Sequence, residues 1–329
     1  MTSDARFDAF LAGTPWAKAL REPLPADAST RRYIRLFDTQ RGETALLMDA
    51  PPETESKTGA FVEIAQWLGT AGFSAPEIFK ADLSQGLVLL EDFGQGSFAH
   101  VLETSPEQEA ALYDLAGQTI AALTQHTPPD VPPYDHAELT RELDLFCDYW
   151  WPDTLGSAMP AAVRHDFYAA WEAPLALLAK AVAHRPAITL RDFHKDNLFF
   201  LPAREGIAQV GLIDFQDALV GHAAYDLVSL LQDVRRDIPE ALQERVFGDV
   251  SNALHDPLLR DAYAAFGAQR ALKILGIFVR LDTVYGKPAY RMHLPRTWAR
   301  LQQNLSVPLL EPLKHWLETH GPEQRSTGQ

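Results

Sequence analysis

Hydrophobic and polar positions follow two different periods along this chain. Between residues 31 and 48, the apolar-rich segments RRYIRLF and TALLM flank the polar turn DTQRG, which predicts a β-hairpin. GLVLLED at 86–92 is a short apolar run typical of a buried strand. Elsewhere apolar positions recur every three or four residues, as on a helix face. Helices are predicted at 57–70, 138–151, 161–183, 223–235, 240–254, 257–283 and 306–319.

A change of pattern near residue 93 predicts two lobes. SPEQ at 105–108 has the features of a helix start, with Ser105 as N-cap, proline at the first helical position and glutamine three residues after the cap. Strands before this point and mainly helices after it predict an α+β fold, with a strand-containing lobe at 1–93 and a mainly helical lobe at 94–329. A cleft between lobes is the usual place for a ligand.

One β-rich island interrupts the helical part, at 188–213. ITL, LFFL and AQVGLI read as three short strands, and the last two form a predicted hairpin. Pairing Leu201 with Val210 would place Asn197 opposite Asp214, with Asp192 on the preceding loop. Two carboxylates and one amide are therefore predicted to meet at one end of the hairpin.

This group of side chains suits phosphoryl transfer. Two close carboxylates repel each other unless a cation or a proton lies between them. An aspartate and an asparagine suit Mg²⁺, and the second aspartate can accept a proton from a hydroxyl nucleophile. The alternative is that Asp192 and Asp196 are turn residues and Asn197 is a cap. We favour the turn interpretation for Asp196 and the functional one for Asp192, Asn197 and Asp214.

Composition narrows the classes of partner. The chain has 329 residues, 47% hydrophobic and 22% charged, which is typical of a globular protein, and a net charge of −15. This charge argues against binding nucleic acid or an anionic membrane, and a solvated acidic surface explains it better than a cationic substrate does. The single cysteine, Cys147, excludes an intramolecular disulfide. With neither a signal-like N-terminus nor a membrane-length apolar run, the sequence predicts a cytoplasmic protein.

Several motifs resemble a known family. D-x-x-x-x-N followed by IDF, and DFHxxN at 192–197 in particular, resemble the aminoglycoside phosphotransferase branch of the protein-kinase-like fold. This implies a small antiparallel-sheet N-lobe and a larger, mainly helical C-lobe. DASTRRYIR, MDAPP, LLEDFG, DFQDA and LKILGIFVRL with GKPAY together resemble bacterial kinases that phosphorylate N-acetylmuramate and N-acetylglucosamine at the anomeric hydroxyl in cell-wall recycling.

The resemblance also implies residue roles and the cofactors ATP and Mg²⁺. Asp192 would be the base for the sugar hydroxyl, and Asn197 and Asp214 would hold Mg²⁺. Residues Glu91, Asp92 and Phe93 would form the hinge that meets adenine, and Ser29, Thr30, Arg31 and Arg32 would cover the nucleotide phosphates. Asp226 and His194 would support the catalytic loop.

The chain departs from the family pattern at the nucleotide phosphates. The phosphate loop contains no glycine, so its hydroxyl and guanidinium groups would have to supply the donors. The alternative for Arg31 and Arg32 is a solvated charge pair on an edge strand. Met48 and Asp49 stand where the family usually has a nucleotide-contacting lysine. Lys57 or a loop arginine could replace it, with Glu55 or Glu63 as partner.

The acceptor side is less defined by sequence. Trp150 could stack on a sugar ring and Glu142 could bind a sugar hydroxyl, but core packing and a solvated helix surface are the respective alternatives. The leading hypothesis is a sugar kinase. Other hypotheses are a kinase of an aminoglycoside, choline or homoserine, a nucleotide-binding protein without catalysis, and a metal-dependent phosphohydrolase with Asp192, His194, Asp196 and Asp214 as ligands.

Overall fold

The computed structural model describes residues 3–25 and 31–322. The chain forms two compact units. Residues 1–119 and 192–218 make up the sheet unit, and residues 120–191 and 219–329 make up the helical unit. The segment at 192–218, which carries the DFHxxN and IDF motifs, therefore belongs to the sheet unit although helical-unit residues flank it in the chain.

A five-stranded antiparallel sheet organises the sheet unit, in the order β1-β2-β3-β5-β4. The predicted β2–β3 hairpin and strand β5 are confirmed, whereas β1 and β4 were not predicted. Strand β1 pairs with residues 34–37 of β2 and does not reach Arg31 or Arg32. The interpretation of these two arginines as a solvated pair is wrong for Arg31, which is buried. The strands are β1 (Leu20–Pro23), β2 (Arg32–Asp38), β3 (Glu43–Asp49), β4 (Ile78–Asp82) and β5 (Leu87–Glu91).

Helices cover this sheet with apolar side chains. Helix α1 (Ser3–Leu11) places Phe7, Phe10 and Leu11 on inward-facing strand residues such as Leu36 and Leu47. The helix predicted at 57–70 is confirmed as α2 (Thr58–Thr70), with Phe61, Ile64, Ala65 and Leu68 buried. Alternate strand residues and every third or fourth helix residue share one face, so the two patterns meet in one core.

The helix start predicted at Ser105 is only partly correct. Pro106–Gln108 form a 3₁₀ turn, α4 (Glu109–Leu123) follows it, and the Ser105 side chain makes no capping hydrogen bond. A cap is found instead at Ser97, whose hydroxyl accepts the His100 N–H at 3.2 Å and begins α3 (Phe98–Thr104).

The predicted register of the 198–213 hairpin is wrong by one residue. Strands β7 (Leu198–Phe200) and β8 (Val210–Leu212) pair Phe200, not Leu201, with Val210. A 3₁₀ turn at Gly206–Gln209 shortens the second strand and shifts the pairing. Asn197 consequently lies opposite Ile213, whose N–H donates to the Asn197 carbonyl at 3.2 Å.

The helical unit is built around α10 (Leu259–Thr283), which packs against helices α5, α7, α8 and α11. It also contains a two-stranded sheet of β6 (Ala187–Thr189) and β9 (Leu219–Gly221). None of the described helices is long and apolar enough to cross a membrane. The remaining helices are α5 (His136–Leu145), α6 (Trp151–Leu155), α7 (Ala161–His184), α8 (Ala223–Leu231), α9 (Glu240–Leu254), α11 (Leu294–Asn304) and α12 (Glu311–His320).

Candidate active site

The DFHxxN motif forms a tight loop that presents Asp192. The His194 N–H donates to the Asp192 carbonyl at 3.1 Å, and the Asn197 N–H donates to the His194 carbonyl at 2.9 Å. The His194 ring is buried, and its Nδ1 accepts the Asp196 N–H at 3.4 Å. The side chain of Asp192 remains exposed. The loop therefore holds its own backbone internally and leaves one carboxylate accessible.

Asn197 and Asp214 lie side by side despite the register shift. Asn197 Nδ2 is 3.1 Å from the Asp192 carbonyl and 3.4 Å from Asp214 Oδ2. A one-residue slip normally turns a side chain to the other face of a sheet. Asp214 lies beyond the end of β8 and has a φ of 60°, which redirects the chain there. The three predicted residues are thus brought together, by a backbone turn that the sequence pattern did not predict.

The Asp214 carboxylate is in an unfavourable electrostatic position. Burial raises its pKa above the usual value, and the nearby carboxylates of Asp192 and Asp217 raise it further. The Gln216 amide, at 2.9 Å from Asp214 Oδ1, and the Arg31 guanidinium oppose this increase. The contact of Gln216 with Asp214 was not predicted from the sequence.

These residues fit a magnesium ion by their donor chemistry. An aspartate carboxylate and an asparagine amide provide the hard oxygen ligands that Mg²⁺ takes, and a cation would offset the desolvated negative charge at Asp214. The phosphohydrolase hypothesis needed a larger set of ligands. Across residues 3–25 and 31–322, no group of three or more His, Cys, Asp or Glu side chains could hold a metal ion. The predicted set of Asp192, His194, Asp196 and Asp214 is therefore not formed.

Arg31 is the loop cation that faces this site. Its side chain is buried, with Nε 3.4 Å from Glu55 Oε2 and one terminal nitrogen 3.8 Å from Asp214 Oδ1. Lys57, the other candidate for the missing lysine, is exposed and bonds to Asp217. Ser29 and Thr30 lie outside the described residues.

Arg32 has a different environment from Arg31. It is exposed and bonds to the fully buried Asp49, which also bonds to Arg6. Asp49 and Met48 are the two residues found where the resemblance implied a nucleotide-contacting lysine. Two arginines thus neutralise a buried carboxylate.

A cavity of about 380 Å³ opens beside these groups within the sheet unit. Apolar and aromatic side chains dominate its wall, and a few polar groups converge at one side, as in small-molecule sites. The lining residues are Leu24, Pro25, Arg31, Tyr33, Arg35, Leu46, Phe61, Pro76, Leu90, Glu91, Asp92, Phe93, Gly94, Asn197, Phe199, Ile213 and Asp214.

The predicted hinge residues line this cavity, and each is fixed differently. The Glu91 N–H donates to the Glu77 carbonyl at 2.9 Å. The Asp92 carboxylate accepts two bonds from Arg35, at 2.7 and 3.0 Å, and a third from the Gly94 N–H at 2.9 Å.

Phe93 packs where the hinge approaches hairpin β7–β8. Its ring lies 5.7 Å from that of Phe199, measured between centroids. A Cβ at Gly211 would come within 2.8 Å of the Phe93 ring. Glycine at 211 is thus needed for the close approach of the Phe93 ring to strand β8.

In the helical unit, Asp226 holds the backbone that leads into the catalytic loop. Its carboxylate accepts the N–H groups of Leu190 and Arg191 at 2.7 and 2.8 Å, and the Ser229 hydroxyl donates to the Arg191 carbonyl at 2.7 Å. The supporting role of Asp226 stays a prediction, which these hydrogen bonds favour. Ser229 was missed because a serine within an apolar helix gives no distinctive signal.

Glu142 does not lie on a solvated surface, so that alternative is wrong. It is fully buried, and it accepts hydrogen bonds from Tyr134, Gln269 and Arg191 and forms an ion pair with Lys273 at 2.7 Å. Despite burial, the two cations lower its pKa to about 2. With both oxygens occupied, Glu142 is better placed to orient Arg191 and Lys273 than to contact substrate. The burial was not predictable, because Arg191, Gln269 and Lys273 are distant from Glu142 in sequence.

The packing interpretation of Trp150 agrees with the structure. The side chain is buried, and it stacks on Phe146 and Trp298 with centroids 4.7 and 5.1 Å away. Because the side chain is only 6% exposed, it has little surface on which a sugar could stack.

Comparison with solved structures identifies the fold. An ADP-bound aminoglycoside phosphotransferase, APH(2'')-Ib, superposes with a TM-score of 0.58 over 94% of this chain and 99% of the other, at 11% identity. The predicted α+β fold of the protein-kinase-like type is thus confirmed.

Sequence comparison then gives the family. The model of the phosphotransferase enzyme family (APH) matches residues 21–266, so the chain belongs to that family. An N-acetylmuramate/N-acetylglucosamine kinase of Caulobacter vibrioides is 36% identical over 95% of both chains. A kinase of the same name from Pseudomonas aeruginosa is 33% identical over 85% of this chain and 82% of its own.

Proposed function

We propose that this phosphotransferase uses ATP and Mg²⁺ to phosphorylate the anomeric hydroxyl of N-acetylmuramate or N-acetylglucosamine. The observation that carries the proposal is the arrangement of the accessible Asp192 next to the adjacent Asn197 and Asp214. The relatives named above, each similar over most of its length, support the choice of amino sugar.

Asp192 orients the acceptor and takes its proton. The anomeric oxygen attacks the γ-phosphorus, the bond between the γ-phosphorus and the bridging oxygen breaks, and ADP leaves with that electron pair. The proton of the hydroxyl passes to the Asp192 carboxylate. Magnesium held by Asn197 and Asp214 would neutralise charge on the phosphate oxygens. The products are a sugar 1-phosphate and ADP.

Arg31 replaces the missing lysine in this proposal. A buried guanidinium between Glu55 and Asp214 resembles, in its charges, the lysine–glutamate pair of kinases. Adenine occupies the apolar part of the cavity. Because the Glu91 N–H is bonded to Glu77, the backbone contacts to the base come from the residues after it, Asp92 and Phe93.

The biological setting follows from the substrate. Free amino sugars of this kind arise from bacterial cell-wall turnover, and a 1-phosphate returns them to synthesis. We therefore place the enzyme in the cytoplasm, where ATP is available.

The test is an assay of ADP release with both sugars and with choline, homoserine and an aminoglycoside as competing acceptors. We expect turnover of the sugars alone, and a product whose phosphorus resonance couples to the anomeric proton. The 1-O-methyl glycoside of N-acetylglucosamine is the matched control, because it lacks only the free anomeric hydroxyl. Phosphorylation of this glycoside would contradict the assigned position, and turnover of a competing acceptor alone would contradict the substrate class.

A further inference from the structure

A cleft of about 780 Å³ opens among helices α9, α10 and α11, and the residues that line it all belong to the helical unit. Its volume lies within the range of small-molecule sites, which is roughly 300 to 1,000 Å³. None of the lining residues has a part in the reaction proposed above. That reaction therefore leaves this cleft without an assigned ligand.

Arg300 on α11 lines this cleft as a buried cation. It is 7% exposed, and its Nε makes no hydrogen bond with any described residue. One terminal nitrogen donates to Gln303 Oε1 at 3.1 Å, and Arg300 forms no ion pair with a carboxylate of the described residues. Burial of a charge is costly unless the charge is paired. A buried guanidinium with unused N–H groups at the wall of a cleft is therefore typical of a group that binds an anion from solution.

The acidic residues that line this cleft form no ion pair with Arg300. Asp237 accepts two hydrogen bonds from Arg296, at 2.9 and 2.7 Å, which lower the pKa of its carboxyl more than Arg300 does. Glu240 and Glu244 line the cleft as exposed side chains. The cleft therefore combines a buried cation with an exposed acidic rim, which consists of Glu240 and Glu244.

A pair of amides fixes the wall beside Arg300. Gln232 and Asn304 exchange two hydrogen bonds, at 3.0 and 2.8 Å, and Asn304 also donates to the Arg300 carbonyl at 2.8 Å. A Cβ at Gly267 of α10 would come within 2.5 Å of Asn304 Oδ1, so this packing needs glycine. Because the two amides already hold each other, a ligand would pay little conformational entropy to order them.

Two aromatic rings and a second cation also line the cleft. The Arg260 guanidinium is exposed and lies 4.9 Å from the centroid of the Phe247 ring. Burial raises the pKa of Tyr263 to about 12, although Gln232 and Arg300 oppose the increase, so its hydroxyl stays protonated at neutral pH. Aromatic faces, amides and carboxylates can bind the rings and hydroxyl groups of sugars, and guanidinium groups bind phosphate or carboxylate.

We propose that this cleft binds a phosphorylated sugar, with Arg300 holding the phosphate and the acidic rim contacting the hydroxyl groups. A phosphate monoester carries about two negative charges at neutral pH, which matches the two arginines that line the cleft, whereas a carboxylate carries one. The planar guanidinium donates two parallel N–H bonds to the oxygens of a phosphate. Binding at this cleft does not depend on the proposed reaction, because no lining residue takes part in it.

The experiment titrates the full chain with glucose 6-phosphate in a calorimeter, without ATP. Gln303→Glu is the decisive variant, because a carboxylate next to the Arg300 guanidinium pairs with it and competes with the phosphate. We expect the Kd for glucose 6-phosphate to rise about tenfold or more. Gln302→Glu is the matched control, since it adds the same charge at the neighbouring exposed residue of α11, which does not line the cleft. Its Kd should change less than about twofold.

Removal of the cation itself gives a second test. Arg300→Gln should raise the Kd for glucose 6-phosphate by at least as much as Gln303→Glu does. Circular dichroism shows whether each variant folds. Gln302 and Gln303 are both exposed, so neither of their substitutions should prevent folding. If Arg300→Gln does not fold, the comparison of Gln303→Glu with Gln302→Glu decides alone.

Other ligands distinguish the sources of the anion. Inorganic phosphate lacks the hydroxyl-bearing ring and glucuronate carries a single charge, so each should bind about tenfold more weakly than glucose 6-phosphate. Binding of uncharged glucose should not respond to Gln303→Glu. Equal Kd values for glucose 6-phosphate and inorganic phosphate would overturn the proposal. So would tighter binding of glucuronate, no measurable binding of glucose 6-phosphate, or equal effects of Gln303→Glu and Gln302→Glu. These measurements involve no turnover, so they are independent of the test of the proposed function.

Discussion

The carboxylate of Asp226 and the backbone N–H of Arg191 are joined by a 2.8 Å hydrogen bond. Arg191 has a φ of 73°, a left-handed conformation that costs a residue with a Cβ free energy. Its carbonyl is held too, by the Ser229 hydroxyl at 2.7 Å. Hydrogen bonds to both the N–H and the carbonyl of Arg191 thus stabilise its left-handed conformation, immediately before Asp192 in the chain.

Replacement of Asp226 should therefore reduce catalysis more than nucleotide binding. In Asp226→Asn one of the two oxygens becomes a donor, so one of the N–H groups loses its acceptor. We expect kcat to fall roughly a hundredfold, with the KM for ATP changed less than about threefold, because misplacement of a reacting group is costly. Ser229→Ala removes only the bond to the carbonyl and should show a smaller decrease. Steady-state kinetics measures both, and an unchanged kcat in Asp226→Asn would contradict the positioning role.

Arg31 should be the cation on which nucleotide binding depends. Arg31→Ala removes a buried guanidinium from the vicinity of Glu55 and Asp214, and we expect the KM for ATP to rise about tenfold to a hundredfold. Lys57→Ala is the control, since Lys57 is exposed and bonded to Asp217. Its KM for ATP should stay within about threefold of the original value. The reverse pattern would assign the lysine role to Lys57.

Local periodicity predicted elements whose residues have one clearly apolar face. Helix α2 and the hairpin β2–β3 are of this kind, because burial of their alternating or helical apolar positions is the main force that forms them. Strand β1, with the sequence LREP, has no buried residue and is held by pairing with β2, so its pattern gave no signal.

The sequence predicted which residues form the site, but not the backbone geometry that brings them together. The motif around Asp192, Asn197 and Asp214 identified the participants. The register was wrong because the turn at Gly206–Gln209 shortens strand β8, and the left-handed φ of Asp214 then restores the contact with Asn197. The burial of Glu142 depends on Gln269 and Lys273, more than a hundred residues away in the chain, which no local pattern reveals.

The buried Glu142 should contribute stability that depends on pH. Its pKa is about 2, against an ordinary value of 4.5, so its contribution is present above pH 4.5 and is lost as the pH falls through about 2. Glu142→Gln leaves Arg191 and Lys273 without their shared partner. We expect a loss of roughly 3 kcal/mol in the free energy of unfolding at pH 7, shrinking steadily as the pH falls below 4.5.

Urea unfolding of both proteins between pH 7 and pH 2 measures this difference. Glu311→Gln is a suitable control, since Glu311 is exposed at the start of α12 and pairs with the partly exposed Lys314 at 3.6 Å. Its effect should be less than about 1 kcal/mol. A constant difference between Glu142→Gln and the original chain across this range would show that the pKa of Glu142 is the same in the folded and unfolded chains.

Substitutions of Asp192 and of Asp214 should impair different properties of the enzyme. Asp192→Asn keeps the shape of the loop but removes the proton acceptor, so kcat should fall about a thousandfold while ATP binding, measured by calorimetry, stays within about threefold.

Asp214→Ala removes the carboxylate proposed to hold Mg²⁺, and calorimetry should show ATP affinity that no longer rises when magnesium is added. Asp196→Asn is the control for both, because Asp196 belongs to the same loop and bonds to Lys195 at 2.9 Å; its kcat should stay within about threefold. Near-normal turnover in Asp192→Asn would exclude this residue as the proton acceptor, and a magnesium response retained in Asp214→Ala would move the metal site elsewhere.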